Sequence, residues 1–327
     1  MARSDLLVEL VRANASQDRS HFRKVLEALI AEERAKQHHV LADRLAQLLH
    51  GLAATGTQQV AGPPDTAQRL IHEITPRRTL DDLVLTREAR ELCNSLVEEQ
   101  SRSDLLRGHG LEPRHRVLLI GPPGNGKTTL AEALASSLVV PLVTVRYEAV
   151  VGSFLGETAQ RLSRVFEYVS TRNCVLLLDE VETLGKERGD EHETGEIKRV
   201  VSSLLLQIDR LPSYVVVVAA SNHPELLDRA IWRRFQLLLE LPKPSQKMIE
   251  DWLGRYSARV GGVFNGNRQL IAKRLVGASF ADVEEFALGV SRERILRGPK
   301  SDARQAVVHA LQAWALRGRA RTSKRAR

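Results

Sequence analysis

The chain has 327 residues, 43% of them hydrophobic and 27% charged, with a formal net charge of +8. That balance excludes a disordered chain. No apolar run reaches the ~18 residues of a membrane helix, and the N-terminus MARSDLLVELVRAN lacks the apolar stretch of a secretory signal. Two cysteines, Cys93 and Cys174, build no disulfide framework, and Cys174 beside an apolar run reads as a small buried hydrophobe. The expected location is the cytoplasm, with no membrane association.

Residues 4–52 read as helix. Phe22, Val25, Leu26, Leu29 and Ile30 form one apolar stripe, and Leu41, Leu45, Leu48, Leu49 and Leu52 a second, which stops near Gly51. Residues 1–52 are thus expected to be a small helical module, one that would choose a partner or substrate. Residues 53–67, AATGTQQVAGPPDTA, read as a linker. From 68 to 242 short apolar runs alternate with helical stretches: VLLI (117–120), LVTV (142–145), VLLLD (175–179), VVVVAAS (215–221) and LLLEL (237–241). Continuous apolar runs are what strands buried on both faces require, and alternation with helices implies an α/β domain with a parallel sheet. Pro242 and Pro244 end it. Residues 243–316 show only helical patterns, among them Leu288, Ile295 and Leu296, then Val307, Val308 and Leu311. Residues 317–327, RGRARTSKRAR, carry six basic residues and no acid. That tail reads either as a solvated, disordered segment or as a contact for nucleic acid or an acidic partner.

Four motifs carry chemistry. GPPGNGKT (121–128) matches G-x-x-x-x-G-K-[ST] between a predicted strand and helix. Backbone N–H groups of Gly121, Pro122, Pro123, Gly124, Asn125, Gly126, Lys127, Thr128 and Thr129, prolines excepted, and the helix N-terminus would cradle phosphates. Lys127 would reach the β- and γ-phosphates of ATP, and the Thr128 hydroxyl would serve Mg²⁺. VLLLDE (175–180) delivers two carboxylates to the sheet's C-terminal edge, where open α/β sheets bind ligands. Asp179 would hold Mg²⁺ through water and Glu180 would polarise the attacking water. VVVVAASN (215–222) ends on Asn222, expected beside the P-loop strand, where its amide can orient water against the γ-phosphate. AIWRRF (230–235) presents Arg233 and Arg234, planar cations suited to phosphate. They lie late in the chain, so they would act on a neighbouring copy's ATP.

In this order and spacing the four motifs resemble the AAA+ superfamily, and within it the AAA clade of protein unfoldases and remodellers. The resemblance runs from about Thr79 to Leu296. TLDDLVL (79–85) is similar to the family's entry segment beside the adenine, LDRAIWRRFQ (227–236) to its arginine-finger segment, and GASFADVEEFA (277–287) to its lid motif. The resemblance implies that Arg233 and Arg234 are arginine fingers and that the chain forms a homohexamer. SFLGETAQRL (153–162) looks like the first pore loop, which implies that Phe154 and Leu155 grip an extended protein substrate. GKERGDEHETGE (185–196) is a second loop near the axis on the same ground. Asn125 stands where the family often has Thr, Ser153 where Lys is common and Gln236 where an acid is common; the frequent Pro-Gly of the finger segment is missing. The implied function is an ATPase motor that threads or remodels proteins. A nucleic-acid motor or loader and an ATP-dependent switch without threading stay open. AEERAKQHHVLADRL (31–45) is similar to stand-alone bacterial AAA proteins paired with a subtilisin-like serine protease, which implies such a partner. The sequence shows neither a HExxH site nor a serine elbow of its own.

Overall fold

The computed structural model describes residues 25, 28–30, 69–146, 155–184, 193–264, 267–298 and 303–325. The chain divides into two compact units, Met1–Pro64 and Asp65–Arg327. In the first, Val25, Leu29 and Ile30 are buried on helical backbone, three members of the first predicted stripe. The rest of the helical reading of 4–52, and the linker 53–67, lie outside the described residues.

The second unit holds a six-stranded sheet: β1 (Ile71–Ile74), β2 (Arg116–Ile120), β3 (Leu142–Val145), β4 (Cys174–Leu178), β5 (Val215–Ser221) and β6 (Leu237–Glu240), in the order β1-β3-β4-β5-β2-β6. The five predicted strands are present and pair in parallel. β1 adds an antiparallel edge, Ile71 opposite Val145. Its sequence, IHEI, is too short and too polar to stand out as a strand; pairing to β3 makes it one.

Helices α1 (Arg87–Ser101) and α3 (Lys127–Leu138) cover one face; α4 (Leu155–Ser170) and α5 (Glu193–Arg210) cover the other. The short helix α2 (Ser103–Gly108) links α1 to β2. Alternation along β4 and β5 divides the two cores. Cys174, Leu176, Leu178, Val215, Val217 and Ala219 face α4 and α5; Val175, Leu177, Val216, Val218 and Ala220 face α3. Continuous apolar runs are therefore needed there, because both faces are covered. Cys174 is fully buried as expected, and burial pushes its thiol up to about 12. β6 departs from the double burial expected of LLLEL: it is an edge strand, and Leu238 is exposed while Leu237 and Leu239 are buried.

After the prolines the chain forms a helical lid of α7 (Gln246–Arg259), α8 (Arg268–Arg274), α9 (Phe280–Arg297) and α10 (Ala303–Arg325); the one-turn α6 (Arg229–Trp232) precedes β6. The lid has its own core around Phe264, Leu253, Phe286 and Val290, with Trp252 stacked on Tyr256. Ser245 caps α7 and Ser279 opens α9 with a capping box. The basic segment departs from the disordered reading. Through Arg325 its backbone continues α10, as a segment rich in Arg and without proline allows. Among the described residues no helix is long and apolar enough to cross a membrane.

Candidate functional site

The site lies at the C-terminal edge of the sheet, where β2 has β5 on one side and β6 on the other. The chain leaves β2 for β3, three places away, so the loop after β2 sits at a switch of direction, the favoured ligand position in such sheets. Residues 121–126 make that loop. Gly121 has φ +143°, and a Cβ there would stand 2.2 Å from the Leu241 carbonyl oxygen. Gly124 has φ +76° and lies against Ser279 of the lid, 2.8 Å from Cβ position to Oγ. Its carbonyl accepts from Ala281 N–H at 2.9 Å. Asn125 is buried; its Oδ1 accepts from Phe280 N–H at 3.3 Å and its Nδ2 donates to Pro122 O at 3.4 Å. The P-loop is thus bonded directly to the start of α9.

Lys127 opens α3, and its side chain is buried under the loop. Nζ donates to Gly121 O (2.7 Å), Pro122 O (3.1 Å) and Asn222 Oδ1 (2.6 Å). Burial pushes its ammonium below the usual lysine range, while Asp179, Glu182 and Glu180 draw it back up. The cation is held by carboxylates at a distance and by neutral oxygens in contact, acceptors that phosphate oxygens can replace. Thr128 Oγ1 donates to Asp179 Oδ2 at 2.7 Å. A hydroxyl and a carboxylate oxygen side by side are hard ligands of the kind Mg²⁺ takes, usually with waters and substrate phosphates completing its shell. Among the described residues no cluster of three or more His, Cys, Asp or Glu could hold a metal alone.

Glu180 follows at φ +49°, a left-handed conformation that costs a non-glycine residue free energy and tends to persist at functional positions. Its main-chain N–H donates to Asp179 Oδ1 at 2.9 Å. Parallel pairing of β2 with β5, Ile120 opposite Ser221, brings Asn222 to Lys127. The cleft they share is about 370 Å³, within the range of small-ligand sites. Pro123, Gly124, Asn125, Gly126, Lys127, Thr128 and Thr129 line it with Asp179, Glu180 and Asn222. Gly121 and Pro122 lie behind, holding Lys127.

The entry segment lines the same cleft through Leu83, Val84 and Leu85, opposite Trp252 and Arg259 of the lid. Two arginines clamp its backbone. Arg90 of α1 donates to Leu80 O (3.0 Å) and Leu83 O (2.8 Å); Arg255 of α7 donates to Asp81 O (2.5 Å) and Leu83 O (3.1 Å). Asp82 accepts from Thr79 and faces Arg259, and these hold its carboxyl below the usual range. Sequence reading missed Trp252, Arg255, Arg259 and Glu182. None belongs to a local motif, and only the fold brings the lid residues to the cleft.

The two adjacent arginines differ. Arg234 Nε bonds Asp209 Oδ2 at 2.7 Å, and Arg116 takes the other oxygen of the same carboxylate at 2.7 Å. Arg233 is exposed and forms no ion pair among the described residues. Neither lines the cleft. Phe154 and residues 185–192 lie outside the described residues; Leu155 begins α4.

Residues 117–243 match the family "ATPase family associated with various cellular activities (AAA)". The chain is 35% identical over 318 residues to the uncharacterized AAA family ATPase y4kL of Sinorhizobium fredii, covering 95% of each chain. It is 33% identical to a proteasome-activating nucleotidase of Thermococcus onnurineus, over 62% of this chain and 53% of that protein. With the ATP-dependent zinc metalloprotease FtsH of Thermus thermophilus it shares 32% identity, over 71% of this chain and 40% of that one. The chain therefore spans about half the length of these last two.

Proposed function

The chain belongs to the AAA family of ATPases, and from that premise we propose that it is a ring-forming motor, a homohexamer, that unfolds or remodels protein substrates. The observation that carries this reading is Arg233. It is an exposed, permanently charged fork outside its own chain's cleft, suited to the phosphate of a neighbouring copy.

The chemistry is mostly positioning and electrostatics. Lys127 and the P-loop N–H groups hold the β- and γ-phosphates of ATP. Thr128 and Asp179 would hold Mg²⁺, which when bound would neutralise charge on the phosphate oxygens. Glu180 accepts a proton from the attacking water, and Asn222 orients that water. Arg233 stabilises the transferring phosphoryl group in trans, with Arg234 fixing the segment that presents it. Asn125 and Gly124 carry any movement of the P-loop into the lid. Phe154 and Leu155 would turn that movement into a pull on an extended polypeptide, a role that rests on the resemblance of residues 153–162. The names of the nucleotidase and metalloprotease relatives support a protein substrate. Cytoplasmic work rests on the apolar runs, the N-terminal residues and the cysteine usage of the sequence, and a subtilisin-like serine protease partner on residues 31–45; the protease should co-purify with a hydrolysis-blocked Glu180→Gln chain.

Phe154→Ala tests the threading reading. Basal ATP hydrolysis and thermal midpoint should stay within experimental error while protein-substrate processing is lost. Unchanged hydrolysis with function kept would select a switch without threading. A nucleic-acid motor is favoured only by the basic residues 317–327. Salt-dependent DNA binding that disappears on deleting them would select it.

A further inference from the structure

Glu182 lies two residues beyond Glu180 in a single 3₁₀ turn and is only 3% exposed. Its Oε1 accepts the main-chain N–H of Asn222 at 3.0 Å. Its Oε2 is buried and has no hydrogen-bond partner among the described residues. A buried carboxylate with an unsatisfied oxygen is a cost that folding alone does not explain, since an apolar side chain of similar size would fill the same space without it. Each such unsatisfied group in a native structure calls for an explanation, and a catalytic role is one of them. The carboxylate ends one short chain of contacts: Glu182 Oε1 to Asn222 N–H, then Asn222 Oδ1 to Lys127 Nζ at 2.6 Å.

We infer that Glu182 is a positioning residue for ATP hydrolysis, fixing the main chain of Asn222 so that its amide stands at the correct distance from Lys127. The inference rests on the assignment of Asn222 and Lys127 to phosphate chemistry. Asn222 is the first residue after β5, where the strand's ladder bonds have ended. Without an acceptor, its N–H would be free to turn away and take the amide with it. Glu182 supplies that acceptor from the turn after β4, so the ends of two adjacent strands are locked together beside the P-loop. The carboxylate also adds negative charge near Lys127, which favours its ammonium form.

Reach and charge can be separated. Glu182→Gln keeps the length and an acceptor oxygen but removes the charge. Glu182→Asp keeps the charge and is one methylene too short. Steady-state ATPase is measured on the full chain for both, alone and combined with Asn222→Ala, with thermal midpoints as a check on folding. Glu182→Gln should keep kcat within about threefold, while Glu182→Asp lowers it about tenfold or more with KM for ATP nearly unchanged, because small misplacements of catalytic groups are costly. On an Asn222→Ala background Glu182→Asp should add no further loss. The inference is overturned if Gln is as slow as Asp or slower, if KM rather than kcat moves, or if the Asp loss multiplies that of Asn222→Ala. If Asn222→Ala itself leaves kcat unchanged, the assignment of Asn222 fails instead.

Discussion

Lys127 Nζ and Asn222 Oδ1 are 2.6 Å apart although the residues are 95 positions apart in the chain. The cation proposed to bind phosphate and the amide that would orient water are thus one contact pair before any nucleotide is considered, and each constrains the other. Lys127→Ala removes the cation from both. Nucleotide affinity should fall roughly 10²-fold or more, since hydrogen bonds to charged groups contribute about 1.5–3 kcal/mol each. Calorimetric titration that finds affinity within a few-fold of the parent would contradict the site.

The same burial predicts a pH dependence. Lys127 loses its proton below 10.5, the ordinary lysine value, because desolvation outweighs its carboxylate neighbours. Phosphate favours the charged form, so nucleotide affinity should weaken on the alkaline side before 10.5, and binding there should take up a proton. The stability sign is opposite. The unfolded chain binds that proton more tightly, so the ligand-free protein gains stability as pH rises between the lowered value and 10.5. Titrations in two buffers of different ionisation heat read the proton uptake directly; heats independent of buffer would count against it.

Glu180→Gln preserves shape and hydrogen bonding at a residue held at φ +49°. ATP binding should survive, and hydrolysis should slow by about 10²–10⁴-fold, the usual contribution of a general base. With ATP the variant should elute as a stable oligomer on sizing chromatography. A monomer at every protein concentration would contradict the ring.

Arg233 and Arg234 should not respond alike. Arg233→Ala should cut turnover by about 10³-fold or more without moving the thermal midpoint, as a trans arginine contributes 10³–10⁵ in rate. Arg234→Ala breaks the bridge to Asp209. Both groups of that bridge are about a third exposed, so its stability effect should stay under about 1 kcal/mol. Arg234→Ala should lower turnover less than Arg233→Ala does, by loosening the segment that presents Arg233, and Asp209→Asn should reproduce part of that loss. Mixing Arg233→Ala with Lys127→Ala chains should restore partial hydrolysis at interfaces that pair intact fingers with an intact P-loop. Verified mixed rings without rescue would mean the arginine acts in its own chain.

Gly121→Ala brings a methyl group to 2.2 Å from the Leu241 carbonyl oxygen, at φ +143°. Backbone would have to move, and the fold should lose about 2 kcal/mol or more, typical of overpacking with backbone displacement. A thermal midpoint equal to the parent's would show that the loop relaxes freely.

Features whose physical demand is met by neighbours along the chain can be read from the residues alone. A phosphate loop needs its glycines, lysine and threonine contiguous, so residues 121–129 were legible as a unit. Strands covered on both faces need unbroken apolar runs, so β2 to β5 were legible, with Asp179, Glu180 and Asn222 at or just beyond strand ends. The tertiary structure alone decided the contacts between distant segments. β1 is a strand because β3 pairs with it, and Leu238 is exposed because only the Leu237 and Leu239 face of β6 packs into a core. Arg255 reaches the entry segment across 172 positions to Leu83 because the lid folds back over the cleft. Arg234 pairs with Asp209 while Arg233 does not, a difference between adjacent identical residues that no local pattern contains. Local geometry is encoded by the residues that adopt it. Which side chains meet across the fold depends on packing and strand register, which the chain specifies only as a whole.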